Sequence, residues 1–227
     1  MIPKKIHYCW FSESPKSRLV KNCMRSWEKY LPDYEIVECT TKNFDIYSSL
    51  YAKEAYSVKK YAFVADFARF YLAYNYGGIY LDSDVELLKG LDNFLNTPAF
   101  CGYEAKYQVG AHILGSQKKG EWAKEVLEAY EDRHFIIDGK QDLTLGPRII
   151  TQLMVKKGLK QDDSLQVFGN LVHVYPQEYF MPIDFFGRGK LTENSYCIHH
   201  CTASWMPKRE KLKWRIIGLA MRLGLAR

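Results

Sequence analysis

One stretch constrains this chain more than any other: an apolar run that two acidic residues interrupt. The run lies at 76–88 and reads YGGIYLDSDVELL. Carboxylates inside so apolar a segment cost free energy unless a cation meets them. Because side chains two positions apart share a face of an extended chain, we expect Asp82 and Asp84 to point to one place. Two carboxylates on one face suit a hard divalent cation such as Mg²⁺ or Mn²⁺.

The positive charge of the chain is concentrated at its C-terminal end. The formal net charge is +6, and residues 208–227 alone hold seven Lys or Arg and one Glu. The remaining 207 residues balance 25 basic against 25 acidic side chains. The body of the chain therefore lacks the excess of bases that nucleic-acid binding requires, and we expect no nucleic-acid partner.

The basic tail has the pattern of an amphipathic helix. Within 208–227, bases recur at helical spacing beside a stripe of Leu and Ile, with Trp214 among them. This pattern is typical of a helix that lies in the plane of an anionic membrane surface, and equally of a helix docked on the core with a solvated basic face. We adopt the first interpretation and divide the chain into a domain at 1–206 and a helix at 207–227. No apolar run approaches the roughly 18 residues of a spanning helix.

The rest of the sequence predicts an α/β protein. A strand at 2–11, a helix at 15–30 and a strand at 34–39 open the chain, which indicates a single α/β/α sandwich with a Rossmann-like first half and a mixed central sheet. We expect an ordered loop at 176–195. The other predicted elements are helices at 48–56, 58–76, 121–133 and 147–157, and strands at 98–103, 111–115, 171–175 and 196–200.

Two further features leave alternatives open. Asp66 and Arg69 share a face of the predicted helix 58–76, where they form either a surface ion pair or part of a site. The six cysteines include no CxxC pair, and no secretory signal opens the sequence. We therefore expect reduced thiols and a cytoplasmic location.

The acidic pair by itself also resembles the first motif of haloacid-dehalogenase-type phosphatases. Asp82 would then be the nucleophile, and Asp162 with Asp163 would be the later acidic motif. That motif normally ends the first strand of its domain, whereas two predicted strands and three predicted helices precede Asp82 here. The later acids also lie in a polar loop with no apolar strand before them. These departures disfavour the phosphatase hypothesis.

Five blocks in a fixed order give a more specific resemblance. They are 2–11 (IPKKIHYCWF), 26–34 (SWEKYLPDY), 65–85 (ADFARFYLAYNYGGIYLDSDV), 100–104 (FCGYE) and 193–205 (ENSYCIHHCTASW). In these blocks the chain resembles the DxD-containing sugar transferases of bacterial capsule and exopolysaccharide clusters. That family is related to fungal initiating mannosyltransferases and, remotely, to glucosylating clostridial toxins. The resemblance implies a GT-A-type fold that binds a nucleotide sugar and transfers the sugar with retention of configuration.

The resemblance also implies roles for individual residues. Trp10 would stack on the nucleotide base, and Asp66 and Arg69 would contact the ribose or the donor sugar. Tyr80 would pack on the nucleotide or in the core. The implied nucleotide-sugar contacts are Trp10, Asp66, Arg69, Tyr80, Asp82, Ser204 and Trp205, and the implied metal ligands are Asp82, Asp84 and His200.

Several details of the resemblance are specific to this chain. His199 would face away from the metal along the last strand, and the inverse assignment, with His199 as the ligand, stays open. Glu104 and Asp142 are candidates for catalytic contacts with the donor sugar or the acceptor, beside Asp82 and Asp84. Before the Ser-Trp pair the family more often has an aromatic residue, a small residue and Gly, whereas this chain has Cys-Thr-Ala at 201–203.

The expected function is transfer of a hexose by an enzyme that needs Mn²⁺ or Mg²⁺. UDP-sugars are the favoured donors and GDP-sugars the second choice. A growing, lipid-diphosphate-linked glycan is the expected acceptor, met on the inner face of the cell membrane through residues 208–227. The alternative from another class is a non-catalytic module of the same fold that binds sugar or a lipid surface. The intact acids and histidine argue against that alternative, since binding alone would not need a metal cluster.

Overall fold

The computed structural model of the chain describes residues 1–12, 14–105, 107–203, 206 and 208–222. The strands in these residues are β1 (Lys5–Cys9), β2 (Glu35–Cys39), β3 (Gly78–Leu81), β4 (Val85–Leu87), β5 (Ala99–Ala105), β6 (Gln108–Val109), β7 (Ile113–Ser116), β8 (Ile136–Ile137), β9 (Lys140–Gln141), β10 (Gln166–Phe168), β11 (Val172–Tyr175) and β12 (Cys197–His199). The helices are α1 (Arg18–Tyr30), α2 (Leu50–Ser57), α3 (Tyr61–Tyr76), α4 (Glu121–Glu128), α5 (Gly146–Lys156), α6 (Gln177–Phe180) and α7 (Lys208–Arg222).

The central sheet is mixed, as the sequence predicts. Its strand order is β10-β11-β5-β7-β3-β1-β2, and β6 pairs with β5 outside this path. β1 runs parallel to both β2 and β3, whereas β7 runs antiparallel to both β3 and β5. The parallel β1–β2 pair, joined through α1, forms the Rossmann-like opening of the chain.

Helices cover both faces of this sheet, because alternate residues of its strands enter two different hydrophobic clusters. In β3, Ile79 and Leu81 belong to one cluster and Tyr80 belongs to the other. The cluster around Tyr80 also contains side chains of α2, α3, α4 and α5. The opposite cluster contains Trp27 of α1 and Phe180 of α6. The predicted α/β/α sandwich is therefore confirmed.

The buried helix α3 leads directly into β3 through two glycines. Gly77 and Gly78 have φ angles of 69° and 104°, which other residues rarely adopt. A Cβ at Gly77 would lie 2.7 Å from the backbone nitrogen of Lys118, and a Cβ at Gly78 would lie 2.6 Å from the carbonyl oxygen of Lys5. The two glycines thus allow a sharp turn and a close approach to β1, which places the end of β3 beside the end of β1.

After β3 the chain turns at residues 82–84 and leaves the central sheet. The Val85 backbone nitrogen donates to the Asp82 carbonyl oxygen over 2.9 Å, so the acidic pair lies in a turn rather than in a continuous strand. β4 then pairs antiparallel with β12 in a separate two-stranded sheet, with Val85 opposite His199. α1 supports β4, since Trp27 Nε1 donates to the Val85 carbonyl oxygen and Ser26 Oγ accepts from the Leu87 backbone nitrogen.

The structure also contains elements that were not predicted, among them β6, the β8–β9 hairpin and α6. β8 and β9 form a hairpin whose two loop residues, Asp138 and Gly139, both have positive φ angles. This is the geometry of a type I′ turn, for which Asp-Gly is a favoured pair. α6 is a single helical turn inside the expected loop at 176–195.

The predicted C-terminal helix is present as α7, and two of its faces can be described. Trp214 packs against Phe186 with ring centroids 5.9 Å apart, and Gly218 lies against the backbone of the same phenylalanine. Leu212 and Ile216 are 61% and 60% exposed. The helix therefore rests on the domain through one side and presents apolar side chains on another. In the described part of the chain, no helix combines the length and the hydropathy needed to span a membrane.

Candidate functional site

A cleft of about 1010 Å³ opens at the ends of β1, β3 and β5. Its volume is in the upper range of small-molecule sites. It brings together side chains at the ends of these strands and side chains of residues 199–203, near the C-terminal end of the sequence. The predicted site residues that line it are Trp10, Asp66, Arg69, Tyr80, Asp82, Asp84 and Glu104.

Three side chains of the cleft point ligand atoms at one another. Asp82, Asp84 and His199 each offer one such atom, and these atoms all lie within 4.8 Å of one another. His199 Nε2 lies 3.3 Å from Asp84 Oδ1 and 3.9 Å from Asp82 Oδ2. The β4–β12 pairing produces this cluster, because it places His199 beside the turn that carries both acids.

The protein holds the other oxygen of each carboxylate. Asp82 Oδ1 accepts a hydrogen bond from the Tyr80 hydroxyl over 2.9 Å and lies 3.5 Å from Arg69 Nη2. Asp84 Oδ2 accepts from the backbone nitrogen and from Oγ1 of Thr202, both over 2.8 Å. Each carboxylate is therefore oriented by one oxygen, and its second oxygen is turned toward His199.

The two carboxylates of the cluster favour positive charge beside them. Burial raises the pKa of Asp84, but His199 and the two Thr202 hydrogen bonds outweigh it and hold that pKa well below its usual range. Burial lowers the pKa of His199, yet Asp84 outweighs it and raises that pKa well above its usual range. Two carboxylate oxygens and one imidazole nitrogen form a donor set that fits Mn²⁺ or a similar divalent ion.

Asp66 and Arg69 form a buried ion pair rather than a surface pair. Both are 6% exposed, and Arg69 Nη2 lies 2.9 Å from Asp66 Oδ1. Arg69 also donates to the carbonyl oxygens of Ala65 and Ala111, and its guanidinium lies over the Tyr80 ring. Asp66 Oδ2 accepts from the Gly146 backbone nitrogen over 3.0 Å. Arg69 thus joins α3 to both the acidic turn and the segment before β7.

The structure reverses the expected arrangement of the two histidines. His200 was predicted to reach the metal, with His199 facing away. Instead, His200 Nε2 lies 2.8 Å from Glu86 Oε2, and His199 faces the acids. The physical reason is register: neighbouring residues of a strand point to opposite sides, and the β4–β12 ladder sets which side faces the turn.

Residues 17–101 match the family model described as a glycosyltransferase sugar-binding region containing a DXD motif. The acids at 82 and 84 lie inside this segment. This segment is therefore similar to the DXD-containing sugar-binding region. The resemblance drawn from the five sequence blocks is therefore confirmed.

Curated relatives of this DXD region include two proteins of Schizosaccharomyces pombe. Inositol phosphoceramide mannosyltransferase 3 is 29% identical over 134 residues, which cover 56% of this chain and 36% of that protein. Inositol phosphoceramide mannosyltransferase 1 is 28% identical over 109 residues, which cover 44% of this chain and 33% of that protein. The chain thus spans about a third of the length of these relatives.

Solved structures support the fold of the DXD region and of the strands around it. The PaToxG glycosyltransferase aligns with a TM-score of 0.53 at 19% identity and covers 69% of this chain and 70% of its own. A glycosyltransferase involved in glycosylation of the major capsid of PBCV-1 aligns with a TM-score of 0.52 at 10% identity, covering 93% of this chain and 98% of its own. Both confirm the expected GT-A-type fold.

Trp10 lines the DXD cleft. It follows β1 directly, and its backbone nitrogen donates to the Cys39 carbonyl oxygen. Its Nε1 donates to the Ser14 carbonyl oxygen over 3.1 Å, and Lys16 Nζ lies 5.3 Å from its ring centroid. The indole is half-buried, so part of its ring is available to a ligand. The other aromatic residue implied by the resemblance, Trp205, lies outside the described residues, as does Ser204.

Asp142 does not reach the DXD cleft. Its Oδ2 lies 2.5 Å from Arg133 Nη2, its Oδ1 accepts from the Thr144 backbone nitrogen, and it lines a separate depression beside the β8–β9 hairpin. The prediction was close in sequence, because Leu145 and Pro147 do line the cleft. The Arg133 guanidinium draws the Asp142 carboxylate to the other side.

The acids required by the phosphatase hypothesis are also separate from the cleft. Asp162 Oδ1 accepts from Ser164, and Asp163 Oδ1 accepts from the backbone nitrogen of Gln177. Neither belongs to the described residues that line the cleft around Asp82. The structure therefore does not assemble the acidic pair that this hypothesis needs.

Among the cleft residues that sequence reasoning missed, Thr202 and His112 contact the acid–histidine cluster. Thr202 holds Asp84, and His112 stacks on His199 with ring centroids 4.6 Å apart and an interplanar angle of 11°. Thr202 lies within a quoted block and could have been found from its place after the histidines. His112 lies within the predicted strand 111–115, where a single histidine carries no periodic or spacing signal.

Proposed function

We propose that the chain is a metal-dependent glycosyltransferase that moves a hexose from a nucleotide-sugar donor to a growing glycan. The observation that carries the proposal is the convergence of Asp82 Oδ2, Asp84 Oδ1 and His199 Nε2 in a large cleft. A non-catalytic binding module would not need carboxylates oriented in this way. UDP-sugars remain the favoured donors, and GDP-sugars the second choice.

Asp82, Asp84 and His199 would hold Mn²⁺ or Mg²⁺. When bound, the ion supplies positive charge that offsets the negative charge developing on the leaving diphosphate. Tyr80 and Arg69 keep the Asp82 carboxylate oriented, and Thr202 does the same for Asp84. Because these orienting contacts exist in the protein itself, the ligand oxygens need little rearrangement when the donor arrives.

Trp10 is proposed to stack on the nucleotide base, because its half-buried ring lines the cleft. Asp66 and Arg69 are proposed to lie near the ribose or the donor sugar. The described donor groups of Arg69 are already engaged by protein oxygens, so its main contribution is to position Asp82. Ser204 and Trp205 are proposed to close over the diphosphate, as in the family.

The transfer is proposed to retain anomeric configuration, with the leaving phosphate oxygen taking the proton of the acceptor hydroxyl. Glu104 then serves to bind the sugar or the acceptor rather than to act as an obligatory base. Its Oε1 accepts from Gln108 Nε2, and its Oε2 faces His112. Nuclear magnetic resonance of the product's anomeric proton distinguishes retention from inversion directly.

A lipid-linked acceptor is proposed because one wall of the cleft is apolar. Met181, Phe185, Phe186 and Trp214 contribute an apolar lining there. Trp214 belongs to α7, so the helix with the exposed Leu and Ile side chains is continuous with this wall. The two fungal relatives are inositol phosphoceramide mannosyltransferases, and a phosphoceramide is a lipid. We propose peripheral binding to an anionic inner leaflet through residues 208–227, with a lipid-diphosphate-linked glycan as the acceptor.

The test measures binding and turnover of a donor panel, namely UDP-glucose, UDP-galactose and GDP-mannose, with and without Mn²⁺. We expect one donor to bind and to be hydrolysed or transferred only with the metal, and Asp84→Asn to abolish both effects. Asp92→Asn is the matched control, because Asp92 is an exposed aspartate paired with Lys4 outside the cleft. Metal-independent sugar binding without turnover would contradict the proposal and favour the binding module.

A further inference from the structure

His112 carries a buried ring nitrogen that has no hydrogen-bond partner among the described residues. The residue is 2% exposed, and its Nε2 lies 3.0 Å from the Phe180 carbonyl oxygen. Because a carbonyl oxygen only accepts, Nε2 carries a proton, and Nδ1 is the acceptor of the ring in its neutral form. Within the described part of the chain, Nδ1 has no hydrogen-bond partner. A buried polar atom of this kind costs free energy until a partner arrives.

A carboxylate oxygen, which is also an acceptor, lies near this nitrogen. Glu104 Oε2 lies 3.9 Å from His112 Nδ1, and both residues line the cleft. Gln108 Nε2 donates to the other oxygen, Oε1, over 2.7 Å, which turns Oε2 toward the histidine. Two acceptors face each other here without a donor between them among the described residues. Ligand groups that donate hydrogen bonds, such as neighbouring hydroxyls of a sugar, match this arrangement.

The acceptor pair lies next to the DXD cluster. The His112 ring stacks on the ring of His199, and the His112 carbonyl oxygen accepts from the Asp82 backbone nitrogen over 2.8 Å. Only the His199 side chain separates His112 from the metal position, so a sugar attached to a diphosphate at the cluster would lie close to Nδ1. The position is suited to reading hydroxyl groups close to the bond that breaks.

We infer that Glu104 and His112 form a hydroxyl-binding subsite, and that His112 is a specificity-determining residue for the sugar beside the metal centre. The inference rests on the proposed glycosyltransferase function and adds the subsite chemistry to it. The hydroxyls belong either to the transferred sugar or to the acceptor sugar. Both sources present the same donors to the pair, and the experiment below separates them.

Glu104→Gln is the most informative variant, because we expect it to keep the stability of the protein and to weaken sugar binding. The amide oxygen would keep the Gln108 hydrogen bond, and the amide nitrogen would then face His112 Nδ1 and donate to it. The variant should be at least as stable as the parent chain, since it satisfies a buried acceptor. It should nevertheless lose sugar binding, because both acceptors of the subsite are removed.

His112→Gln removes Nδ1 but leaves an amide nitrogen able to donate to the Phe180 carbonyl oxygen. Calorimetry with Mn²⁺ compares each variant with the parent chain for UDP, GDP and the UDP- and GDP-sugars that the parent binds. We expect nucleoside diphosphate affinity to change less than twofold and the additional affinity due to the sugar to fall about tenfold. The matched controls are Glu125→Gln and His173→Gln, two residues that do not line the cleft.

Deoxy analogues of the bound donor identify the hydroxyl. Removing the contacted hydroxyl should weaken binding to the parent chain but not to Glu104→Gln or His112→Gln. If donor affinity and hydrolysis are unchanged in the variants while the acceptor KM rises about tenfold, the hydroxyls belong to the acceptor and the subsite stands. Equal losses for nucleoside diphosphates and nucleotide sugars would reduce His112 to a support for His199, and unchanged binding and transfer would also overturn the inference. A parent chain that binds no nucleotide would instead overturn the proposed function.

Discussion

The imidazole of His199 lies 3.3 Å from the carboxylate of Asp84, although the two residues are far apart in the sequence. The β4–β12 ladder makes this contact, and the backbone nitrogen of His200 strengthens it by donating to the Asp84 carbonyl oxygen. A shift of one residue in this ladder would exchange the two histidines. The register of a three-residue strand therefore determines which side chain completes the cluster.

The first prediction separates the two histidines. His199→Ala should weaken Mn²⁺ binding by at least about tenfold, because it removes an atom from the ligand set. His200→Ala is the matched control and should change the affinity less than threefold, since His200 is paired with Glu86. Electron paramagnetic resonance of free Mn²⁺ measures both. The reverse order of effects would restore the original assignment of His200 as ligand.

The second prediction concerns the turn that brings Thr202 to Asp84. Ala203 has a φ of 46°, in the left-handed region that favours glycine, at the position where the family more often has Gly. Ala203→Gly should raise the free energy of unfolding by about 0.5–1 kcal/mol, because relief of strain exceeds the entropy that glycine adds to the unfolded chain. Urea denaturation measures the change.

Ala129→Gly provides the comparison for this turn. Ala129 has a φ of −68°, so glycine there relieves no strain. It should lower the free energy of unfolding by about 0.5–1 kcal/mol. If both substitutions destabilise equally, the left-handed backbone at Ala203 is not a feature of the folded protein.

The sequence could predict the part of the site that depends on local patterns. The Gly77-Gly78 pair, the apolar strand and the acids at 82 and 84 lie within one short segment, so their chemistry was visible without the fold. Asp66 lies on the helix that leads directly into this segment, so the sequence could also place it near the acids. The resemblance to a family extended the prediction to Trp10.

The rest of the site depends on contacts that no local pattern records. Pairing of β4 with β12 joins distant segments, and each strand has only three residues, too few for the alternation that would orient His199. Asp142 was misplaced because its direction depends on Arg133 rather than on its neighbours in sequence. The Asp138-Gly139 hairpin is different, since its turn signal was present in the sequence and was overlooked.

The third prediction uses the raised pKa of Asp66. Burial raises this pKa from 3.8 to about 6, although Arg69 and the Gly146 N–H oppose the rise and the charges of Asp82 and Glu104 add to it. The buried phenols of Tyr51 and Tyr130 also lie near this carboxyl group. The folded chain therefore holds the Asp66 proton more tightly than the unfolded chain does.

Stability from this proton is fully present below pH 3.8 and is lost as the pH rises to about 6. The free energy of unfolding of Asp66→Asn should therefore decrease less steeply across this range than that of the parent chain. Urea denaturation at several pH values measures the slopes, and Asp92→Asn should keep the parental slope. Equal slopes for the parent and Asp66→Asn would show that Asp66 has an ordinary pKa.

The fourth prediction tests the membrane surface proposed for α7. The double variant Leu212→Glu, Ile216→Glu should reduce binding to vesicles that contain phosphatidylglycerol by about tenfold or more, because it replaces the exposed apolar side chains by acids. Thermal stability and donor hydrolysis should stay unchanged, since neither residue lines the cleft. Leu165→Glu, at another exposed leucine, is the control for vesicle binding. Unchanged binding by the double variant would contradict the proposal.

The most direct test of the central claim is an anomalous difference map from a crystal grown with Mn²⁺ and a nucleotide sugar that the chain binds. The account predicts a manganese peak coordinated by Asp82 Oδ2, Asp84 Oδ1 and His199 Nε2, with the diphosphate on its open side. A peak between His200 and Glu86, or a nucleotide sugar bound in the cleft without manganese at the three predicted atoms, would contradict it.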